Sequence, residues 1–531
     1  MGDSGQASLA GLLSFRDEVF QKLMKVIILI LFGAIAGITL LPYLLFRQKE
    51  LPPGTNQASP SFSYDSAELL IDRTIWDAAS NQHRLEHGVF DTILEEIAGA
   101  ETFLITDFFL WNPWKGAIET EDALRPLASE LATALIEKRL QYPDMPMLVI
   151  TDPVNRIYGD HAPDFYQRLA DAGIPVVFTA LDKMPDSNRL YAPQAWFWSK
   201  FLPGGKPEDI RPVPNPFNSD GKKLSLAELG RLLYFKANHR KVLVTGRSGG
   251  VTRVLMPSLN PADGSANHSN IGLLVDGPVA RFAAQSELNV TRWSSEVAKN
   301  VYGGLIAEAA NALSDIQNYL EVLPKPGPAE LGKPSVAYRS EGAIQDELLL
   351  QLNKAVKGTR IDIALFYFSD RKVVKALKGA IERGAAARIL LDANRDAFGR
   401  EKNGIPNRIV AAELMKLASD HDVAVRWAAT HGEQFHSKVL RMNGPQQDIL
   451  FLGSANWTRR NIGNLNLEAN LLLANAPAVS ETFDVYFESI WNNTRGYNES
   501  LPYEEWAETG WSLKWKKWLY RFQEWSGAST F

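Results

Sequence analysis

The chain has 531 residues, 45% of them hydrophobic and 22% charged, with a formal net charge of −5. This composition is typical of a globular protein of about two to four domains, and the lack of a basic excess argues against a nucleic-acid-binding protein. The absence of cysteine excludes disulfides and thiolate metal sites, so we expect neither a metal nor another cofactor.

Residues 26–46 form an apolar segment of 21 residues without a charge. This length suffices to span a bilayer as a helix, so we predict a transmembrane anchor that follows an N-terminal segment of residues 1–25. A cleaved signal peptide fits less well, because the apolar stretch is too long and no Ala-x-Ala site follows it. Basic residues precede the segment (Arg16, Lys22, Lys25) and follow it (Arg47, Lys49). Three basic residues before the segment against two after it favour a single-pass protein of the bacterial inner membrane, with its catalytic body on the extracytoplasmic side.

Two proline-rich stretches divide the remaining chain. Residues 47–66 are rich in Pro, Gly and Ser and predict a flexible linker. Residues 321–334 contain four prolines and predict a second linker. The linkers delimit two lobes, residues 67–320 and residues 335–500.

The two lobes repeat one order of elements. Each opens with an amphipathic helix and an apolar strand, at 89–111 and 344–368. Each continues to a buried strand with a polar turn, MLVITDPVNRIYG at 147–159 and ARILLDANRDAFG at 387–399. Alternating helices and strands predict an α/β fold, and the repeat predicts two lobes about a pseudo-twofold axis. An insertion at about 180–232 in the first lobe is either a wall of the substrate site or a surface excursion packed by its own aromatic residues.

A His-x-Lys pair occurs in each lobe, within ANHRKVLVTGR at 237–247 and QFHSKVLRMNG at 434–444. Residues i and i+2 of a strand point to the same face, so both side chains of a pair project together. One such pair would suit a surface strand, but two matched pairs predict two halves of one site. The candidate residues are His239, Lys241, His436 and Lys438.

A Ser-x-Asn sequence follows each pair, Ser258 with Asn260 and Ser454 with Asn456. Brought together, the lobes would offer two imidazoles, two ammonium groups, two hydroxyls and two amides. Ammonium and amide groups can stabilise the non-bridging oxygens of a phosphodiester. One imidazole can attack phosphorus while the other transfers protons, which imidazole does near neutral pH without a metal.

These motifs resemble those of the phospholipase D superfamily, the HKD enzymes, over about residues 67–500. The second motif is the more complete, with FHSKVL, GSANWTRR and NLNLE, which ends at Glu468. The resemblance implies two phospholipase D-like lobes and a phosphohistidine intermediate, and it implies that Glu468 orients the nearby histidine. We favour His239 as the nucleophile and His436 as the acid and base, although the pseudosymmetry leaves the roles interchangeable.

The sequence departs from the family pattern in two ways. Comparison of NLNLE with the ANHSN stretch leads us to set Ser269 in the position of Glu468, so that His239 would lack a carboxylate or take one from elsewhere. The Asp that follows the Lys by five residues in the family is Gly246 in one motif and Asn443 in the other. Since both His-x-Lys pairs remain, we still expect an enzyme.

Residues 501–531 form a tail rich in Trp and Lys. Within 506–525 the aromatic residues recur at steps of four and three, which defines one face of a helix. They are Trp511, Trp515, Trp518, Phe522 and Trp525. The helix either lies in a bilayer interface or packs on the catalytic body.

We consider three functions. The first is a phospholipase D or a cardiolipin synthase-like phosphatidyltransferase that acts on a membrane phospholipid, and the sequence does not distinguish hydrolysis from transfer. The second is a nuclease, which would need a basic groove with stacking aromatics. The third is a catalytically inactive membrane scaffold. The motifs, the anchor, the tail and the acidic net charge favour the first, and we expect no nucleic-acid partner.

Overall fold

The computed structural model describes residues 4–116, 118, 124–157, 162–201, 211–215, 221–296, 300–397 and 399–529. Parts of several predicted segments therefore lie outside the described residues. These are residues 1–3 of the N-terminal segment, 158–159 of the first polar turn, 202–210 and 216–220 of the insertion, 398 of the second polar turn, and 530–531 of the tail.

Eighteen strands lie in the described part of the chain. In the first lobe they are β1 (Ser66–Asp77), β2 (Gln82–His87), β3 (Phe103–Phe108), β4 (Met147–Thr151), β5 (Val176–Phe178), β6 (Lys241–Gly246), β7 (Thr252–Pro257) and β8 (Asn270–Asp276). In the second lobe they are β9 (Ser335–Ser340), β10 (Arg360–Leu365), β11 (Ala386–Leu391), β12 (Asp396–Ala397), β13 (Arg400–Glu401), β14 (Val423–Ala428), β15 (Lys438–Gly444), β16 (Gln447–Gly453), β17 (Ala469–Ala474) and β18 (Ser500–Pro502).

The strands form two eight-stranded mixed sheets and a small hairpin of β12 and β13. The first sheet has the order β2-β1-β8-β7-β6-β3-β4-β5 and the second β18-β14-β11-β10-β15-β16-β17-β9. When the first order is reversed, the strands β5-β4-β3-β6-β7-β8-β1 correspond one by one to β14-β11-β10-β15-β16-β17-β9 of the second sheet. These seven pairs of strands match in position and direction. The prediction of two α/β lobes of one topology is confirmed.

Fourteen helices accompany the sheets in the described residues. They are α1 (Ser4–Leu45), α2 (Gly88–Ala98), α3 (Leu127–Gln141), α4 (Asp164–Asp171), α5 (Tyr191–Trp198), α6 (Leu226–Leu232), α7 (Pro278–Ser295), α8 (Ile306–Val322), α9 (Gly342–Lys354), α10 (Arg371–Glu382), α11 (Asn407–Leu414), α12 (Arg459–Ile462), α13 (Pro477–Trp491) and α14 (Gly510–Ser526).

Successive side chains of a strand point to opposite faces of the sheet, and the apolar ones form three layers. In β3, Leu104 belongs to an outer layer with α2, α3 and α4, whereas Ile105 belongs to a central layer. In β17, Leu472 faces an outer layer with α9, α10 and α11, whereas Leu471 faces the central one. The central layer also contains α7 and α13. The inner faces of both sheets therefore share one core, which brings the two lobes together.

The predicted anchor falls on α1, which extends to Leu45 and contains Pro42. Among the residues that the structure describes, none of the helices combines the length and the apolarity that crossing a bilayer requires.

The linker predicted as flexible at 47–66 is instead hydrogen-bonded along β9. Ser59 N donates to Tyr338 O (3.0 Å), and Phe62 and Val336 exchange two backbone hydrogen bonds of 2.8 Å. Because β9 is an edge strand, its free backbone groups can pair with an additional segment. Proline and serine content therefore misled the prediction of flexibility.

The tail begins inside the second lobe, since β18 pairs with β14. Its helix α14 packs on this lobe through Tyr520, whose hydroxyl donates to Ser369 O (2.6 Å), and through Glu524, which accepts from Ser369 Oγ (2.5 Å). The packing interpretation holds for this face, while the five aromatic residues predicted on the other face are exposed.

Candidate active site

Each histidine of the two pairs lies in an extended segment just before its strand. We expected histidine and lysine in one strand, but β6 and β15 begin at the lysines. The preceding segments pair instead with the opposite lobe: His239 N donates to Leu467 O (2.9 Å) and His436 N to Ser269 O (2.8 Å). The backbone of each histidine is thus fixed by the other half of the molecule.

The lysines still lie beside their histidines, as the spacing predicted. Lys241 Nζ is 3.3 Å from His239 Nε2 and donates to His239 O (2.9 Å). Lys438 Nζ donates to His436 O (2.7 Å). All four side chains are buried, so the two half-sites concentrate cationic groups where water cannot screen them.

An aromatic ring covers each histidine. Phe109 follows β3 and lies 4.7 Å from the His239 ring, while Phe366 follows β10 and lies 5.0 Å from the His436 ring. Lys241 Nζ lies 5.3 Å from the Phe109 ring, and Lys438 Nζ lies 5.3 Å from the Phe366 ring. Electrostatic attraction to the rings can help hold both ammonium groups in place.

Glu468 crosses between the lobes to reach the first histidine. It precedes β17 in the second lobe, yet it accepts a hydrogen bond of 2.7 Å from His239 Nδ1 in the first. Ser454 Oγ and Asn461 Nδ2 also donate to its carboxylate. Glu468 is fully buried and thereby fixes the orientation of the His239 ring.

Asn270 is the counterpart of Glu468, and our assignment of Ser269 to that position was wrong by one residue, because ANHSN (266–270) set against NLNLE (464–468) ends at Asn270. Asn270 Oδ1 lies 3.3 Å from His436 Nδ1 and also accepts from Ser258 Oγ (3.3 Å). Ser269 instead bridges the lobes through its backbone, because its position precedes β8 by one residue. Of the two alternatives for His239, the structure has the second, since the carboxylate comes from Glu468 of the other lobe. His436 is the histidine that has an amide partner.

The remaining predicted residues, Asn260 and Asn456, are 4% and 5% exposed. Among the described residues, no group hydrogen-bonds to the Oδ1 atom of either side chain. A buried polar atom without a partner costs about 1–3 kcal/mol. Two such amides at equivalent positions are therefore suited to binding a polar ligand.

Two aspartates outside our predicted set hold the histidine segments. Asp152 Oδ2 accepts from Asn238 N (2.7 Å), and Asp392 Oδ2 accepts from Phe435 N (2.9 Å). They are the first residues of the two repeated polar turns. The repeat was visible in the sequence, but the sequence did not show that these turns reach the residue before each histidine.

A buried ion-pair network lies behind His239. Arg240 donates to Glu287 (3.0 Å) and to Glu341 (2.7 Å), and all three side chains are fully buried. Glu341 also accepts from the backbone N–H groups of Glu468 (3.1 Å) and Asn56 (2.6 Å). It therefore connects both lobes and the linker at one point.

Burial dominates the electrostatics of the site. It lowers the pKa of His239 to about 4, against the opposing effect of Glu468, and lowers the pKa of Lys241 to about 7. Burial and the neighbouring cations bring the pKa values of His436 and Lys438 well below their usual ranges. An anion in the site would offset both effects and favour the charged forms.

The two departures from the family pattern lie away from the histidines. Gly246 ends β6, and a Cβ there would overlap Thr102 Oγ1 and the Phe103 ring, so no aspartate fits. Asn443 is exposed near the end of β15. Five residues of strand separate each from its lysine, or roughly 17 Å. The site can therefore form without the aspartates.

The comparisons agree with this geometry. Residues 348–491 match the family model for the cardiolipin synthase, PLD-like domain. The structure of phosphatidylserine synthase from Haemophilus influenzae Rd KW20 is similar with a TM-score of 0.50 and 13% identity, over 88% of this chain and 96% of that one. The phospholipase D family member Nuc from Salmonella typhimurium matches 32% of this chain and 98% of its own at 21% identity and a TM-score of 0.25. No curated protein gives a significant match.

The chain therefore shares the mixed α/β fold of that phosphatidylserine synthase. The family match over residues 348–491 of the second lobe supports the resemblance to the phospholipase D superfamily inferred from the motifs. Within the described residues, no cluster of His, Asp and Glu has the arrangement needed to hold a metal ion.

Proposed function

We propose that the protein is a membrane-anchored phosphodiesterase of the phospholipase D type, which hydrolyses or transfers the phosphatidyl group of a phospholipid through a phosphohistidine. The observation that carries the proposal is the hydrogen bond between His239 and Glu468 of opposite lobes. It combines an oriented imidazole with a second histidine and two lysines in one buried site.

His239 is the proposed nucleophile. A carboxylate can only accept, so Nδ1 carries the proton that is donated to Glu468, and the lone pair of the neutral ring is on Nε2. Lys241 lies on that side of the ring, 3.3 Å from Nε2. Nε2 would attack phosphorus, and the positive charge that develops on the ring would be stabilised by Glu468.

His436 is the proposed acid and base. Its Nδ1 partner is the neutral Asn270 amide, so its imidazolium has less stabilisation and is the stronger acid. It would donate a proton to the headgroup oxygen as the bond from that oxygen to phosphorus breaks. The neutral ring would then take a proton from water or an alcohol, which attacks the phosphohistidine and breaks the bond from phosphorus to nitrogen.

Lys241, Lys438 and the two amides would bind the non-bridging oxygens. Charge builds on these oxygens in the transition state, and preorganised donors in a water-poor site stabilise it strongly. Asn260 and Asn456 would take part through their Nδ2 groups, because Oδ1, the atom left without a partner, is an acceptor.

A phospholipid substrate is proposed because the chain also has features suited to a bilayer. Residues 26–46 are uncharged, and α1 exposes large apolar side chains such as Leu29 at 69% and Leu44 at 70%. We propose that α1 anchors the protein in the bacterial inner membrane, with the catalytic body outside the cytoplasm. The charge bias around the anchor supports this orientation.

A lipid assay tests the proposal. The purified full chain is incubated with phosphatidylglycerol or phosphatidylethanolamine, and headgroup, phosphatidic acid and cardiolipin are followed by mass spectrometry. We expect turnover of at least one lipid, and a loss of about 10²–10⁴-fold in His239→Ala and in His436→Ala. His421→Ala, which changes a histidine outside the two motifs, should retain full activity.

Phosphatidic acid as the product would indicate hydrolysis, and cardiolipin would indicate transfer. Cleavage of DNA or RNA without turnover of either phospholipid would contradict the proposal in favour of a nuclease. Turnover that survives both histidine substitutions would contradict the site.

A further inference from the structure

We infer that α14 is a membrane-docking helix, which rests its exposed face in the headgroup region of an anionic bilayer and sets the active site against the lipid. The inference rests on the proposed function, because the bilayer is taken to supply the substrate. The face is called the aromatic ladder and consists of Trp511, Trp515, Trp518, Phe522 and Trp525.

The aromatic ladder is a continuous apolar surface. Its exposed fractions run from 37% at Phe522 to 83% at Trp511. The rings of Trp515, Trp518 and Phe522 stack with centroid distances of 5.0 and 5.8 Å, and the tilted Trp525 ring lies 6.1 Å from Phe522. The helix already packs on the second lobe through Tyr520, which is fully buried. A contiguous exposed apolar patch of this kind indicates an interaction surface rather than ordinary surface scatter.

The charges beside the aromatic ladder select an anionic partner. Lys514, Lys517 and Arg521 are exposed, whereas Glu524, the one acidic residue of α14, is buried. The chain as a whole has a net charge of −5, so this cationic helix differs from the rest of the molecule. Tryptophan with Lys and Arg is the composition of helices that lie in a bilayer interface, and the cations complement anionic headgroups.

One short segment, residues 186–190, contacts the end of α14 and the end of α1. Arg189 N donates to Ser526 O at the end of α14 (2.7 Å). Tyr43 in α1 donates to Leu190 O (2.9 Å), and Gln48 just beyond α1 donates to Asp186 O (2.7 Å). Residues 186–190 therefore place the end of the proposed anchor and the end of the aromatic ladder side by side.

The insertion adds further aromatic surface next to α1. Trp196 in α5 packs against Phe46 with a ring distance of 5.9 Å, and Lys200 lies over the Trp196 ring. Trp198 and Phe201 are 36% and 66% exposed. The described part of the insertion thus places a second cationic and aromatic surface beside the proposed anchor.

The segment also connects to the active site. Ser187 Oγ donates to the carbonyls of Tyr234 (2.9 Å) and Phe235 (3.0 Å), and Asp186 pairs with Lys236 (2.6 Å). These residues run directly into His239. Residues 186–190 therefore link the end of α14 to the chain segment that leads into the proposed nucleophile.

Cysteine labelling tests the docking directly, because the chain contains no cysteine of its own. Trp518→Cys and Trp515→Cys are each labelled with an environment-sensitive fluorophore, and so is Val485→Cys on α13, where the native side chain is 65% exposed. The full chain is reconstituted into vesicles of phosphatidylcholine with phosphatidylglycerol that contain a nitroxide lipid. We expect quenching and a blue shift at 515 and 518 and an aqueous signal at 485, with weaker quenching in phosphatidylcholine alone.

Equal aqueous signals at all three positions would overturn the inference. Protection of 515 and 518 without vesicles would also overturn it, since a second copy of the chain would then cover the aromatic ladder. Both readouts are independent of catalysis, so they decide the inference even if no phospholipid is turned over and the proposed function fails.

An activity comparison tests the link to the site. In Lys514→Glu/Lys517→Glu we expect turnover of phosphatidylglycerol in vesicles to fall at least about 30-fold, since two basic residues near an anionic surface contribute about 1 kcal/mol each. Turnover of the same lipid in neutral detergent micelles should be unchanged. Equal losses in vesicles and micelles would contradict a docking role.

Discussion

At the scale of single residues, the two histidines differ in the group that accepts from Nδ1. His239 has the Glu468 carboxylate at 2.7 Å, and His436 has the Asn270 amide at 3.3 Å. Each half also has a matched lysine, phenylalanine and serine near its histidine. The exchange of one carboxylate for an amide is therefore what separates the proposed roles of nucleophile and acid.

Glu468→Gln should slow formation of the phosphohistidine by about 10–100-fold, because partners of this kind orient a reactive histidine and stabilise its charge. Asn270→Ala is the matched change in the other half and should slow this step less. Rapid-quench measurement of the covalent intermediate separates the two. A larger effect of Asn270→Ala would assign the nucleophile to His436.

We expect Lys241 to take up a proton when an anion binds above neutral pH. Burial lowers the pKa of Lys241 to about 7, so at about pH 8 most of this lysine is neutral when no anion is bound. A bound anion restores the charge, and affinity should fall by up to about tenfold per pH unit above pH 7.

Calorimetry with sulfate, which does not titrate in this range, measures this linkage in buffers of different ionisation enthalpy. We expect net proton uptake at about pH 8, and an uptake smaller by roughly one proton in Lys241→Met. Affinity that is independent of pH in the unmodified chain would show that the lysine is already charged.

The sequence predicted the residues that repeat, because each half contains the same His-x-Lys and Ser-x-Asn pattern. It did not predict that Glu468 serves the histidine of the other lobe. This contact depends on the shared core, which brings residue 467 beside residue 238. Asp152 and Asp392 were missed for a similar reason, since their hydrogen bonds reach chain segments that are distant in sequence.

At the scale of elements, the linker along β9 behaves as part of the second lobe. Ser59 Oγ accepts from Tyr338 N (2.9 Å), in addition to the backbone bond between the same residues. Helices and strands were predictable from apolar periodicity, whereas this segment has none. Its order depends on the free edge of β9, which the local sequence does not reveal.

Ser59→Ala should lower the free energy of unfolding by about 1–3 kcal/mol, because Tyr338 N–H would lose its acceptor in a buried position. Ser61→Ala is the control, since the Ser61 side chain is exposed. Denaturant unfolding of the purified chain measures both. Equal stability of the two variants would support the flexible linker that we first expected.

At the scale of the whole molecule, the lobes share the central core and the network around Arg240. This side chain is in the first lobe and pairs with Glu341 in the second. Its removal would leave buried carboxylates without their cation, which typically costs more than the loss of any surface pair. We therefore expect the two lobes to unfold together.

Arg240→Met should lower the free energy of unfolding by about 3–5 kcal/mol. Arg84→Ala, which breaks an ion pair of an arginine that is 61% exposed, should cost about 0–1 kcal/mol. Calorimetry should show one transition in each variant. Two separate transitions would indicate that the lobes are independently stable.

Trapping of the phosphohistidine tests the central claim most directly. In His436→Ala, a phosphatidyl ester with a phenol leaving group needs no acid, so the intermediate should form and then persist, because the base for the second step is missing. We predict a phosphatidyl adduct on the peptide that contains His239, found by mass spectrometry, and no adduct in His239→Ala. An adduct on His436 in His239→Ala, with none on His239 in His436→Ala, would contradict the account.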